Sequence, residues 1–160
     1  MKKPAYTEDN FTTGDNLGYL LKTSHNLLHE VAQALLKDEE ISFLQWLTLF
    51  KLQENSARTA SDLAKQLRHD NGALTRCLDK VEQMGFLERR RSEQDRRVVE
   101  LHITDKGRAK VKALTPVVLA IFNEVLSDFT DDEFHELNRL LKKLKLRLSS
   151  LGGEQGVRLP

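Results

Sequence analysis

Between Asp15 and Leu35, apolar residues recur every three or four positions: Leu17, Leu20, Leu21, Leu27, Leu28, Val31, Ala32 and Leu35. That spacing lines one face of a helix, and Asp15 offers an oxygen for its N-cap. ISFLQWLTLFKL predicts a second helix, with Ile41 as hydrophobic staple, Ser42 as cap and Gln45 as reciprocal capping-box partner. SARTASDLAKQL opens a third, capped by Thr59, with Asp62 in its first turn and Leu63, Ala64 and Leu67 turned inward. RHDNGALTRCLDKVEQMG reads as a fourth helix capped by Asp70. Leu74, Cys77, Leu78 and Val81 form its buried stripe, and Gly85 is a left-handed stop.

The period then changes. Phe86–Arg91 and Val98–Thr104 are short and strand-like, with Val99, Leu101 and Ile103 alternating with Glu100 and His102. Serine, glutamine and aspartate between them make a polar turn, so the pair predicts a hairpin. Thr104 caps a fifth helix, in which Pro116 removes one ladder bond and predicts a kink or break. Thr130-Asp131-Asp132-Glu133 is a capping box for a sixth helix, whose seam is Phe134, Leu137, Leu140, Leu141, Leu144 and Leu148. The expected layout is mainly α with a small β-hairpin wing. It comprises a flexible arm (1–14), N-terminal helices (15–57), a winged lobe (58–104), C-terminal helices (105–150) and a flexible tail (151–160).

Composition narrows the class. A chain of 160 residues is long enough for one domain with a real core. No apolar run reaches the roughly 20 residues that cross a bilayer, and MKKPAYTEDN has no apolar signal core. The one cysteine, Cys77, cannot form an intrachain disulfide, which suits a cytoplasmic setting. The net charge of +1 is unevenly spread: Arg58 to Lys110 holds 13 Lys/Arg against 9 Asp/Glu. That local excess marks the segment where a polyanion would bind.

Two short helices joined by a tight turn, the second capped by Asp70, have the organisation of a helix-turn-helix. Ser61 lies on the first. The second offers Asn71, Ala73, Thr75 and Arg76, an amide, a methyl, a hydroxyl and a guanidinium able to meet base edges or phosphates of double-stranded DNA. The hairpin follows at once, with Arg96 and Arg97 at a tip narrow enough to enter a minor groove. Helix, helix, hairpin in that order is a winged helix-turn-helix. A lone winged helix needs about 70–100 residues. The flanking helices carry more leucine than one small lobe hides, which points to a homodimer with paired reading heads.

The stretch from TASDLAKQL through GALTRCLDKVEQMGFLERRRSEQDRRVVELHITDKG resembles the multiple-antibiotic-resistance regulator (MarR) family of transcription factors. The resemblance lies in LTR..D..E..GFLER, the D-R-R wing tip and the L-x-I-T-x-x-G start of the next helix, and extends more weakly over nearly the whole chain. It implies a two-fold dimer, joined by the first, fifth and sixth helices, on a pseudo-palindromic operator. It also implies Arg97 as the minor-groove arginine, Asp95 as brace of the wing and Arg96 on backbone phosphate. Cys77 stands where the family more often has leucine.

The same family commonly responds to small molecules, often aromatic acids. LGYLLKTSHNLL is similar to the first helix of members that bind phenolic acids, with Lys22 in place of arginine. Lys22 and His25 share a helix face and could hold a carboxylate, while Phe43, Trp46 and Phe50 could wall a ring. A point charge there replaces a bidentate clamp, and the aromatics read equally as core. His25 and His29 have i, i+4 spacing, but no further ligands complete a metal set, and no cofactor is expected. No nucleophile elbow or phosphate-binding glycine loop suggests an enzyme. The expectation is a homodimeric DNA-binding regulator, a repressor relieved by a small ligand, with no membrane partner. The alternative is a dimeric adaptor whose winged helix binds protein.

Overall fold

The computed structural model describes residues 5–151; the arm and tail expectations for residues 1–4 and 152–160 lie outside the described residues. Six helices and one hairpin follow in order: α1 (Leu17–Leu35), α2 (Phe43–Gln53), α3 (Ala60–Leu67), α4 (Asn71–Gln83), β1 (Leu87–Arg91), β2 (Val99–Ile103), α5 (Asp105–Val125) and α6 (Asp131–Leu151). The architecture is thus mainly helical with a two-stranded wing. The described chain forms two compact units, one up to Val118 and one from Leu119.

Local chemistry explains most boundaries. Ser42 and Gln45 close a capping box at α2, and Thr59 and Asp62 close another at α3. Asp70 starts α4 by accepting from the Ala73 amide at 3.0 Å. That helix ends in a Schellman motif: Gly85 N–H donates to Glu82 O at 2.8 Å and Phe86 N–H to Val81 O at 2.9 Å. Gly85 has φ +75°, the left-handed conformation this stop requires. Thr104 then bonds both ways, donating to Gly85 O at 2.7 Å and accepting from Gly107 N–H at 3.0 Å. Gly107 itself lies against the chain: a Cβ there would sit 2.8 Å from Ile103 Cγ1 and overlap Phe86 O.

Two expectations from the sequence need correction. The cap of α1 is Asn16, not Asp15. Asn16 is extended and its side chain accepts from Tyr19 N–H at 2.8 Å. The Asp15 amide is held back in the preceding turn by Thr12 Oγ1 at 3.3 Å. Tyr6 reinforces that entry, its hydroxyl accepting from Leu17 N–H at 2.8 Å while its ring meets Phe11 edge-on. Of the kink or break expected at Pro116, the break does not occur: α5 runs from Asp105 to Val125. Proline forfeits one backbone bond, and burial of Val111, Leu114 and Val118 on either side holds the helix together.

The core of the first unit gathers Ile41, Leu49, Leu63, Leu74, Leu78, Val81, Phe86, Leu87 and Val111. The predicted α4 stripe is fully buried, Cys77 included. β1 and β2 pair antiparallel, with Leu87 opposite Ile103 and Arg91 opposite Val99. The other edge of β2 is tied to the loop before α3, since Leu101 N–H donates to Arg58 O at 2.8 Å. α1 is different. It buries only Ala32, leaving Leu17, Leu20, Leu27, Val31 and Leu35 exposed. In the second unit, α6 opens with the expected Thr130–Glu133 box but buries no residue. Its seam residues Phe134, Leu137, Leu140, Leu141 and Leu148 all face water.

Candidate nucleic-acid interface

α3 and α4 are joined by a turn of three residues, Arg68 to Asp70. Arg68 takes the left-handed conformation, φ 52°, where a side chain costs about 1 kcal/mol or more. That conformation reverses the chain tightly enough to set the two helices side by side around Leu63 and Leu74. The outer surface between them is an open groove whose lining includes Ser61, Asn71 and Thr75. Three cationic or titratable groups without a sequence signal of their own also line it: Lys65, Arg68 and His69. The turn geometry is what brings them to the groove.

The recognition positions differ in detail. Asn71 and Arg76 are exposed, Arg76 lying along the surface left open by Gly72. Ala73 is half-buried and is not part of the groove lining. The Thr75 hydroxyl donates to Asn71 O at 2.8 Å, so its proton is engaged and the oxygen is left as an acceptor.

The wing sorts its arginines into two sets. Arg89 reaches back to α4, pairing with Asp79 at 2.7 Å and with Glu82. Arg90 pairs with Glu88 at 2.7 Å. Among the described residues, Arg91, Arg96 and Arg97 have no ion-pair partner, and all three are exposed. The tip itself is constrained. Ser92 N–H donates to Val98 O, and Val98 N–H to Asp95 O, both at 2.9 Å. The Asp95 carboxylate accepts from the Arg97 amide at 2.9 Å, and Ser92 Oγ accepts from Gln94 N–H at 3.3 Å. Positive charge is therefore displayed from Arg91 at the end of β1 to the tip of a pinned loop, while Arg89 and Arg90 are paired with neighbouring carboxylates.

The suggested effector residues fall on α1 and α2. Lys22 and His25 are exposed. Phe43, Trp46 and Phe50 form a stack, with ring centroids 5.8 Å and 5.0 Å apart. Trp46 is 6% exposed, and its Nε1 donor is buried without a hydrogen-bond partner among the described residues. Cys77 is also buried, 3.7 Å from Thr48 Oγ1, and burial pushes its thiol above the ordinary value of 9.0. A protonated, enclosed thiol is a poor nucleophile. No described helix is long and apolar enough to cross a membrane.

Comparison with known proteins agrees with this architecture. The MarR family model matches residues 41–99, which span α2 to the start of β2. The organic hydroperoxide resistance transcriptional regulator of Bacillus subtilis is 33% identical over 99 residues, covering 62% of this chain and 67% of that protein. The HTH-type transcriptional regulator MgrA of Staphylococcus aureus is 32% identical over 110 residues, 68% of this chain and 72% of its own. The crystal structure of a mutant MarR from E. coli complexed with operator DNA superposes with a TM-score of 0.74 at 29% identity, over 86% of this chain and 99% of that one. Bordetella bronchiseptica BpsR shares the fold at 21% identity, with a TM-score of 0.76 over 84% of this chain and 96% of its own. With a helix-turn-helix, a pinned wing and relatives of this similarity along most of its length, the chain belongs to the MarR family of transcriptional regulators.

Proposed function

We propose that two copies of this chain bind a pseudo-palindromic duplex and repress transcription by occupying it. The observation that carries the reading is the partition of wing charge: Arg96 and Arg97 are exposed and unpaired among the described residues, at a tip fixed by Asp95. Free guanidiniums on a rigid finger suit a minor groove, where the negative potential is concentrated. α4 would enter the adjacent major groove with Asn71, Thr75 and Arg76, and Ser61, Lys65 and Arg68 would meet the flanking backbone. Relatives support the sign of regulation, since the E. coli transcriptional repressor MprA is 29% identical over 126 residues. The adaptor alternative has no comparable observation behind it.

Dimerisation is supported by two exposed apolar faces, one on α1 and one on α6. Monomeric proteins rarely leave such stripes in water. Covering a half-exposed leucine is worth about 1 kcal/mol, so a dozen such side chains per copy suffice for a stable isologous interface. Light scattering should report a dimer. Leu141→Asp with Leu148→Asp should yield monomers that lose duplex affinity, because the two half-sites are no longer engaged together. Binding of random duplex should fall steeply with salt, as phosphate contacts release counterions. A stable monomer, or binding indifferent to salt, defeats the reading.

A small aromatic acid is the effector class that α1 and α2 favour. Lys22 and His25 supply positive and hydrogen-bonding groups, and the Phe43–Trp46–Phe50 stack supplies an apolar wall with an indole donor that has no partner among the described residues. Quenching of the single tryptophan by hydroxybenzoates tests this directly; no quenching in the dimer removes these five residues from the role.

A further inference from the structure

The wing is held to the lobe from both of its edges at a single level. β1 and β2 place Arg89 opposite Leu101. Both backbone amides of that pair point away from the hairpin, as in a non-hydrogen-bonded antiparallel pair. On one edge Leu101 N–H donates to Arg58 O at 2.8 Å. On the other, Arg89 N–H donates to Glu82 Oε1 at 3.3 Å. The Arg89 side chain strengthens this second edge. Its guanidinium forks between Asp79, at 2.7 Å, and the other oxygen of Glu82. Nearer the lobe, Leu87 and Ile103 are buried, whereas Arg91, Val98 and Val99 beyond the fork are exposed.

The seat of the fork is the reading helix itself. Asn71, Thr75, Asp79 and Glu82 follow one another at spacings of four, four and three residues, within about 80° of the α4 circumference. The stripe that carries Asn71 and Thr75 to the groove between α3 and α4 therefore continues as the surface on which the wing is docked. Ion pairs as open as these contribute little to stability. Their geometry has a larger consequence. With Arg89 released, the hairpin is tied only at the Arg58–Leu101 edge. From Arg89 to Ser92 the strand extends about 10 Å, so a swing of about 15° moves the tip by about 2.5 Å or more, against a minor groove about 6 Å wide.

We propose that Arg89 is a positioning residue that sets the angle of the wing to α4, so that Arg97 and the α4 side chains reach adjacent grooves together. Its guanidinium is occupied by two carboxylates, and it acts on DNA through Arg97. The proposal rests on the DNA-binding reading and deepens it by naming what fixes the spacing of the two contacts within one half-site.

The test is Arg89→Gln in the full-length protein, followed by fluorescence anisotropy on a duplex selected from a random pool. The melting temperature should move by no more than about 4 °C. Duplex affinity should fall about tenfold, and by no more than in Arg96→Ala/Arg97→Ala, because a displaced wing forfeits only its own contacts. Added to that double variant, Arg89→Gln should cost less than about threefold further. Asp79→Asn with Glu82→Gln should also weaken binding about tenfold, although it removes two negative charges from the reading stripe. In the free protein, residual dipolar couplings of Arg91–Val99 should report a wing turned relative to α4 in Arg89→Gln. Should that variant lose its fold, Arg89→Lys, which keeps the charge and loses the fork, should show a smaller loss of the same kind. Unchanged affinity of Arg89→Gln in a chain whose binding depends on Arg97 overturns the proposal, as do full additivity with the tip variants or unchanged couplings. A rise in affinity on removing the two carboxylates overturns it too, since Arg89 would then only neutralise them. A parent chain that ignores duplex overturns the DNA-binding reading instead, an outcome that the couplings, recorded without DNA, keep separate.

Discussion

Arg97→Ala isolates the wing from the fold that carries it. The side chain is exposed and, among the described residues, has no ion pair, so its removal should change folding stability by no more than about 0.5 kcal/mol. On DNA, under the proposed reading, the same change should remove a groove contact worth about 1–3 kcal/mol per half-site, or about 5–150-fold. In the proposed dimer two wings act, and losses at separate half-sites should add to about 2–6 kcal/mol. Asp95→Ala provides an internal scale. Its carboxylate holds the Arg97 amide, but two backbone bonds between Ser92, Asp95 and Val98 remain, so it should cost about 1 kcal/mol per wing. Arg96→Ala should act differently, lowering the salt slope of binding by about one per copy if it meets phosphate. The assay is fluorescence anisotropy on a duplex selected from a random pool, at two salt concentrations, paired with thermal unfolding of each variant. Unchanged affinity in Arg97→Ala with an unchanged melting temperature refutes the assignment of the wing tip.

Three further outcomes test the scaffold. Gly107→Ala should destabilise by about 1–3 kcal/mol or more in urea titration, because its Cβ would overlap Phe86 O and crowd Ile103; wild-type stability would mean the approach is looser than described. Thr59→Ala should cost about 1 kcal/mol through loss of the α3 capping box. The same box holds Asp62 below its ordinary value of 3.8, chiefly through the Arg58 amide, so that contribution is present above pH 3.8 and fades on acidification below it; urea midpoints of Asp62→Asn and the parent chain should converge there. Cys77 shows the opposite sign. Its folded thiol is pushed up, so the unfolded chain loses its proton first, and stability should decline as pH rises past about 9.0. Cys77→Ala should decline less above that point, and an identical decline would remove the thiol as its cause.

Local signals are legible in the sequence because they act at short range. Capping residues work within three positions, so Ser42, Thr59, Asp70 and Thr130 can be read directly, as can the glycine stop at Gly85. Asp15 loses the cap to its neighbour, because a turn involving Thr12 and Tyr6 decides which oxygen reaches the first free amide. Pro116 misleads for a related reason: one lost backbone bond is visible in sequence, whereas the buried stripe that outweighs it is tertiary. The site divides in the same way. Arg96 and Arg97 stand out at the hairpin tip, but Arg89 looks equivalent in sequence and is not, since Asp79 and Glu82 face it from α4. Lys65, Arg68 and His69 are silent because only the left-handed turn at Arg68 brings them to one groove.

If two copies pair through it as proposed, a helix of 21 residues with no buried residue of its own makes folding a matter of abundance. At low copy number α6 would spend more of its time frayed, presenting leucines to proteases and chaperones, and only above the association threshold would it become a permanent part of the molecule. A regulator built this way erases its own orphans. The cell would hold either paired reading heads or very little protein at all.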